Sequence, residues 1–217
     1  MTVAPAVADN AEAKSSSLID NWSNIHSAPA RFVHPERIVS CFDKIISSQL
    51  AKRLQASDRV QEQLKILLMD HFDLPDPSSL TEIDQVDLGL LSKPAEYIAG
   101  LVPLAGAIFW ANIFTAEIRT DKIAAMKRSI GESAFQIALA NRDLASGLPG
   151  PDDLDAAIER DGNNCLLSWH MTLPPAVRAW ARLKHADDTF LSVHTNEKDQ
   201  GRGVAIIRRL ASQYPQH

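Results

Sequence analysis

Apolar residues recur at helical spacing along almost the whole chain. From Pro35 onward, Ile38, Val39, Phe42, Ile45, Ile46, Leu50 and Leu54 trace one face of a first long helix that Ser57-Asp58 ends. Val60, Leu64, Leu67, Leu68 and Phe72 give the stripe of a second, stopped by Asp73-Leu74-Pro75-Asp76-Pro77, where two prolines bar continuation. The pattern makes these two antiparallel neighbours. Ser79 with Glu82 forms a capping box for a short helix carrying Ile83 and Val86, and Ser92-Lys93-Pro94 restarts the chain.

The next twenty residues, Tyr97 to Ala116, carry no charge. An unbroken helix of that length would cross ~30 Å of hydrocarbon. Yet Gly100, Pro103, Gly106, Asn112 and Thr115 fall inside it, and only nine of the twenty are strongly apolar. Pro103 removes a backbone donor and clashes one turn back, so the spacing predicts two shorter buried helices meeting near it. A membrane span over Tyr97 to Ala116 is the alternative, supported by length alone.

Thr120-Asp121 opens a helix through Ile123, Met126 and Ile130 that Gly131 closes as a left-handed cap, and a further helix holds Phe135, Ile137, Ala138 and Leu139. Gly147-Leu148-Pro149-Gly150-Pro151 is the clearest break. Beyond it Asp152, Asp153 and Asp155 suit the positive end of a helix that closes near Gly162. Leu166, Leu167 and Trp169 mark one further short helix, and Pro174-Pro175 another with Val177, Trp180 and Leu183. Thr189 to Thr195 alternates like a strand, but a lone strand makes no sheet. Gly201-Arg202-Gly203 reads as a hinge before a last amphipathic helix with Val204, Ile206, Ile207 and Leu210. The expectation is therefore an all-α protein of short and medium helices, without internal repeats, forming a single domain over residues 29–217. Residues 1–16 hold nothing large to bury and read as a disordered tail. After it Ser17 and Asp20 resemble a helix cap, and Leu18, Ile19, Trp22 and Ile25 share one face of a short helix. That face either docks on its own domain or fits a partner's groove, which makes Leu18, Trp22 and Ile25 candidate partner-binding residues.

Charge is close to balance, 22 basic against 27 acidic residues, so nothing global favours nucleic acid or anionic lipid as a partner. Two distant cysteines, Cys41 and Cys165, suit a reducing compartment, and the first residues lack the basic start and apolar run of a secretory signal. A cytoplasmic location is expected. The chain has no phosphate-binding glycine loop, no nucleophile elbow and no HExxH spacing. Cys165 and His170 form the closest Cys/His pair, but a metal needs three or four ligands. Pairs such as Asp152 with Asp153, or Asp187 with Asp188, suit capping and solubility. No catalytic residue, cofactor or metal is expected on these grounds. Arg202, Arg208 and Arg209 read as a solvated helix face or, alternatively, as a basic group meeting an acidic partner.

Four stretches, taken in order, carry a resemblance: Phe32-Val33-His34-Pro35; Leu90 to Ile98 (LLSKPAEYI); Met126 to Leu139 (MKRSIGESAFQIAL); and Leu173-Pro174-Pro175 through Lys184, with Ile206-Ile207-Arg208-Arg209-Leu210 closing the set. With them the chain resembles the accessory subunit of the type III secretion sorting platform, the SctK/YscK-like family, and its rhizobial nodulation members in particular. The resemblance implies an all-helical, non-enzymatic adaptor at the cytosolic face of the inner membrane. It would link the cytosolic domain of an inner-membrane ring protein to the pod protein of the platform and support effector export, peripheral to the membrane rather than inserted in it. A small inner-membrane protein anchored by Tyr97 to Ala116 is the alternative.

Overall fold

The computed structural model describes residues 25, 27–77, 83–189 and 197–214, with backbone only at 197 and 198. Among them the chain is all-α, with no strand. Its helices are α1 (Pro35–Cys41), α2 (Ser48–Ala56), α3 (Gln61–Phe72), α4 (Gln85–Leu91), α5 (Ala95–Phe109), α6 (Ala111–Ala116), α7 (Thr120–Ile130), α8 (Glu132–Ala140), α9 (Leu154–Thr172), α10 (Pro175–Ala181) and α11 (Glu197–Gln213). Single 3-10 turns at Pro29–Phe32, Asp58–Val60, Arg142–Leu144 and Arg182–Lys184 join them.

These helices gather into two compact units. The first holds the described residues up to Ala95 together with Pro175–Ala186, and the second holds those of Glu96–Pro174 and from Asp187 onward. Helical periodicity gives the elements but not the destination of the excursion at Pro174-Pro175, which returns α10 to the N-terminal unit.

In the first unit, Ile38, Leu64, Leu68, Leu88, Leu90, Val177 and Leu183 are buried. His34 caps α1, its Nδ1 accepting the Glu36 N–H at 3.2 Å, with Pro35 at the first helical position. The long stripe from Ile38 to Leu54 is two helices, not one. Asp43 and Lys44 turn the chain at φ 51° and 61°, and Ser47 restarts it by accepting the Leu50 N–H at 3.3 Å. α3 stops at Asp73, in the left-handed region with φ 52° and ψ 54°. α4 is capped by Asp84, whose Oδ1 accepts the Val86 N–H at 2.8 Å. The expected tail over residues 1–16 lies outside the described residues, as do the capping box of Ser79 and Glu82 and the alternating stretch from 190 to 195.

Among the described residues of this unit four long polar side chains are buried, and each donates to backbone carbonyls. Gln55 Nε2 donates to Ala30 O and Val33 O at 2.8 and 2.7 Å, and Gln61 Nε2 to Gln55 O and Ser57 O at 2.8 and 3.0 Å. Arg37 Nε donates to His185 O at 2.8 Å, and Lys184 Nζ donates to Phe32 O and Lys93 O at 3.2 and 2.5 Å. A carbonyl outside a regular helix needs a donor if it is buried, and these side chains supply one.

The second unit is built on α5, α9 and α11. The helix break in the uncharged segment lies at Trp110, with φ −97° and ψ 14°, and not at Pro103, which α5 passes through. Pro103 and Ala99, the residue whose carbonyl loses its donor, both face solvent, so water can satisfy that carbonyl. α9 likewise runs through Gly162 instead of closing there, and α11 through Gly201 and Gly203 instead of hinging. At Gly162 and Gly203 the reason is close packing. A Cβ on Gly106 would stand 1.9 Å from the carbonyl oxygen of Ile158, and one on Gly162 would stand 2.0 Å from that of Val102, so α5 and α9 touch backbone to backbone. Gly203 does the same for α11, where a Cβ would lie 2.9 Å from Cys165 Cα. Asp153 caps α9 where the sequence places it, accepting the Ala156 N–H at 3.0 Å. Gly131 closes α7 at the expected residue, with φ 88° and an extended ψ of 148° in place of the left-handed helical turn.

One face of Tyr97 to Ala116 thus forms core. Ile98, Leu101, Ala105, Ile108, Phe109, Trp110 and Phe114 are buried in the second unit. No helix among the described residues is long and apolar enough to cross a membrane.

Candidate functional site

Cys165 is buried in α9, and desolvation pushes its thiol up to about 12, with Asp161 and Asp199 adding to the rise. Cys41, half-buried, is pushed up to about 11 for the same first reason. A thiol so shifted holds almost no thiolate at neutral pH. His170 lies five residues along α9 from Cys165, which on a helix places the two on different faces. Among the described residues no three His, Cys, Asp or Glu side chains come together in a way that could hold a metal ion.

Asp161 shows how acids are used inside the second unit. Its carboxyl accepts from Trp110 Nε1 at 2.9 Å, from Arg160 Nη2 at 2.7 Å and from Asn164 Nδ2 at 3.0 Å. It joins α9 to the residue where α5 gives way to α6.

The exposed apolar side chains are the features that the two cores leave unexplained. In the first unit Ile45 is 85 % exposed, immediately after Asp43 and Lys44. Two consecutive non-glycine residues in the left-handed region cost on the order of 2 kcal/mol together. In the second unit Ile118 is 88 % exposed on the link from α6 to α7. That link is held firmly. Glu117 Oε1 accepts the N–H groups of Ile118 and Arg119 at 3.1 and 3.0 Å, and its carboxylate takes Arg119 Nε and Nη2 at 2.8 and 2.7 Å. The Arg119 guanidinium is the main reason that the Glu117 carboxyl is held down to about 2. The next helix, α7, buries none of its eleven residues, and its apolar stripe Ile123, Met126 and Ile130 stays half-exposed.

Of the residues expected to meet partners, Leu18 and Trp22 lie outside the described residues. Ile25 is only 8 % exposed. It lines a narrow apolar cleft with about 30 Å³ of free space in the first unit, beside Pro29, Val33, Leu91, Trp180 and Lys184, so at this residue the chain docks on itself. The arginines are engaged inside the second unit. Arg202 Nη1 donates to Asp199 at 3.0 Å and to Ser146 O at 3.3 Å, with its guanidinium 5.9 Å from the centre of the Phe109 ring. Arg209 pairs with Asp143 at 2.6 Å, and Arg208 is half-buried. The three do not form one open basic patch.

Sequence reasoning missed Ile45 because it fits a helical stripe, and Ile118 because it falls between the segment ending at Ala116 and the helix opening at Thr120. The signal for Ile45 was the Ser47-Ser48 pair, which can cap a new helix after it. No family model matches the chain, and neither a curated protein nor a solved structure matches it.

Proposed function

We propose that this chain is a non-enzymatic cytosolic adaptor of a type III secretion sorting platform, joining the cytosolic domain of an inner-membrane ring protein to the pod protein and so supporting effector export. The ordered motifs between residues 30 and 214 give the reading its identity. One structural observation gives it physical support: each unit holds a large apolar side chain outside its own core, Ile45 in the first and Ile118 in the second, the latter on a link pinned by Glu117 and Arg119. An adaptor needs two surfaces on ordered elements, and about 800 Å² on each is enough for a stable contact.

The test is co-purification from secreting cells. The tagged chain should bring down both the ring protein and the pod protein, and Ile45→Asp and Ile118→Asp should each weaken capture while leaving the fold intact, since both positions face solvent. Recovery of neither protein refutes the reading.

A further inference from the structure

The stripe of α7 does not end on a flat surface. Together with Phe114 of α6 and Leu154 of α9, Met126 and Ile130 form the apolar floor of an open trough with about 390 Å³ of free space, wholly inside the second unit. That volume is in the range of ligand and side-chain pockets. Its lip is acidic. Asp152, Asp153 and Asp155 stand along it, all exposed. Asp153 is occupied as the cap of α9, and Asp155 accepts a hydrogen bond from Ser129 Oγ across the trough. Asp152 makes no hydrogen bond or ion pair among the described residues.

No cation from α7 forms an ion pair with this lip, and the exposed Lys122 side chain makes no hydrogen bond or ion pair among the described residues. Lys127 is paired with Glu132 at 2.9 Å, and Arg128 Nε donates to Ala124 O within its own helix. The trough therefore joins a short uncovered apolar floor, with Met126 and Ile130 one helical turn apart, to one negatively charged edge. We infer that it is a docking groove for a basic amphipathic helix of a partner protein, whose apolar side chains fill the floor while lysine or arginine residues on its flank meet Asp152 and Asp155. Apolar anchors supply most of the binding in such a mode, and the charges set orientation and partner choice. An acidic or neutral helix would leave the lip unpaired. The inference rests on the adaptor reading only in taking the occupant to be a protein.

The test uses a fluorescein-labelled synthetic peptide of about 16 residues, with leucines at i, i+3, i+4 and i+7 and lysines on the flanks. A second peptide keeps the leucines and replaces lysine by glutamate. Fluorescence anisotropy with the full chain should show binding of the lysine peptide, weakening as salt rises, and none of the glutamate peptide. The double variant Asp152→Asn, Asp155→Asn should weaken binding roughly tenfold and flatten its salt dependence. The amide oxygen introduced at 155 still accepts from Ser129, so the fold is spared. Met126→Glu, at a half-exposed position, should abolish binding with an unchanged circular dichroism spectrum. Failure of the lysine peptide to bind, equal binding of the two peptides, or equal binding by wild type and variants overturns the proposal. So does a chain that sediments as a dimer and becomes a monomer with Met126→Glu, because the occupant is then a second copy. Peptide binding as described, with neither ring nor pod protein captured, refutes the adaptor reading and leaves the groove standing.

Discussion

Two glycines six residues apart in one helix should answer the same substitution with opposite signs. Gly106 and Gly100 both lie in α5, but a Cβ at 106 would stand 1.9 Å from the carbonyl oxygen of Ile158, whereas at 100 it would meet nothing within 4 Å. The obstruction at 106 is backbone, not the tip of a flexible side chain, so α9 would have to retreat by about 1 Å and surrender contacts along its length. Overpacking of this kind costs ~1–3 kcal/mol, and the unyielding contact puts Gly106→Ala at the upper end or beyond. Better helix propensity returns about 1 kcal/mol. The net effect is a loss of about 2 kcal/mol or more for Gly106→Ala and a gain of up to about 1 kcal/mol for Gly100→Ala, where only propensity acts. Urea titration followed by far-ultraviolet circular dichroism reads both. The midpoint should fall for Gly106→Ala and rise for Gly100→Ala. Equal shifts, or a neutral Gly106→Ala, would refute the backbone contact between α5 and α9.

Burial pushes the Lys184 amine down to about 7, whereas the unfolded chain keeps it near ~10.4. Between those values the unfolded chain holds a proton that the folded chain has released, so stability rises with pH. The group alone contributes about 2 kcal/mol between pH 7 and pH 9. Lys184→Met should lose that increment; the raised thiols of Cys41 and Cys165 act in the opposite sense in both proteins, and an identical pH profile for wild type and variant would show that Lys184 is not buried as described. Trp110→Phe takes one donor from the buried Asp161 and should cost about 1–3 kcal/mol in a denaturant melt; no loss would mean the 2.9 Å contact is not maintained. Cys165 should react with a water-soluble disulfide reagent roughly a hundredfold or more slowly in the native protein than in denaturant, and rapid native labelling would contradict its burial.

The helices were legible where a signal is local. Pro35, the prolines after Asp73, Asp153 and Gly131 act through their own backbone geometry or through the nearest N–H groups, and helix ends fall beside them. Signals that depend on a neighbour misled. Pro103 breaks a helix only where the orphaned carbonyl lacks water, and here it faces solvent. Gly162 and Gly203 look like stops until the opposing helix is seen to need the missing Cβ. Lys184 is invisible for the same reason: a lysine in a short polar run gives no hint that two buried carbonyls, from Phe32 and Lys93, await its amine. The uncovered stripe of α7 has the same periodicity as a buried one, so the pattern gives the helix and not its exposure.

Reconstitution from purified components tests the adaptor reading most directly. The chain, the ring protein's cytosolic domain and the pod protein should elute from a sizing column with light-scattering detection as one complex containing all three, while ring and pod proteins remain separate without the chain. Three separate species in the full mixture, or a ring–pod complex that forms equally well in its absence, would contradict it.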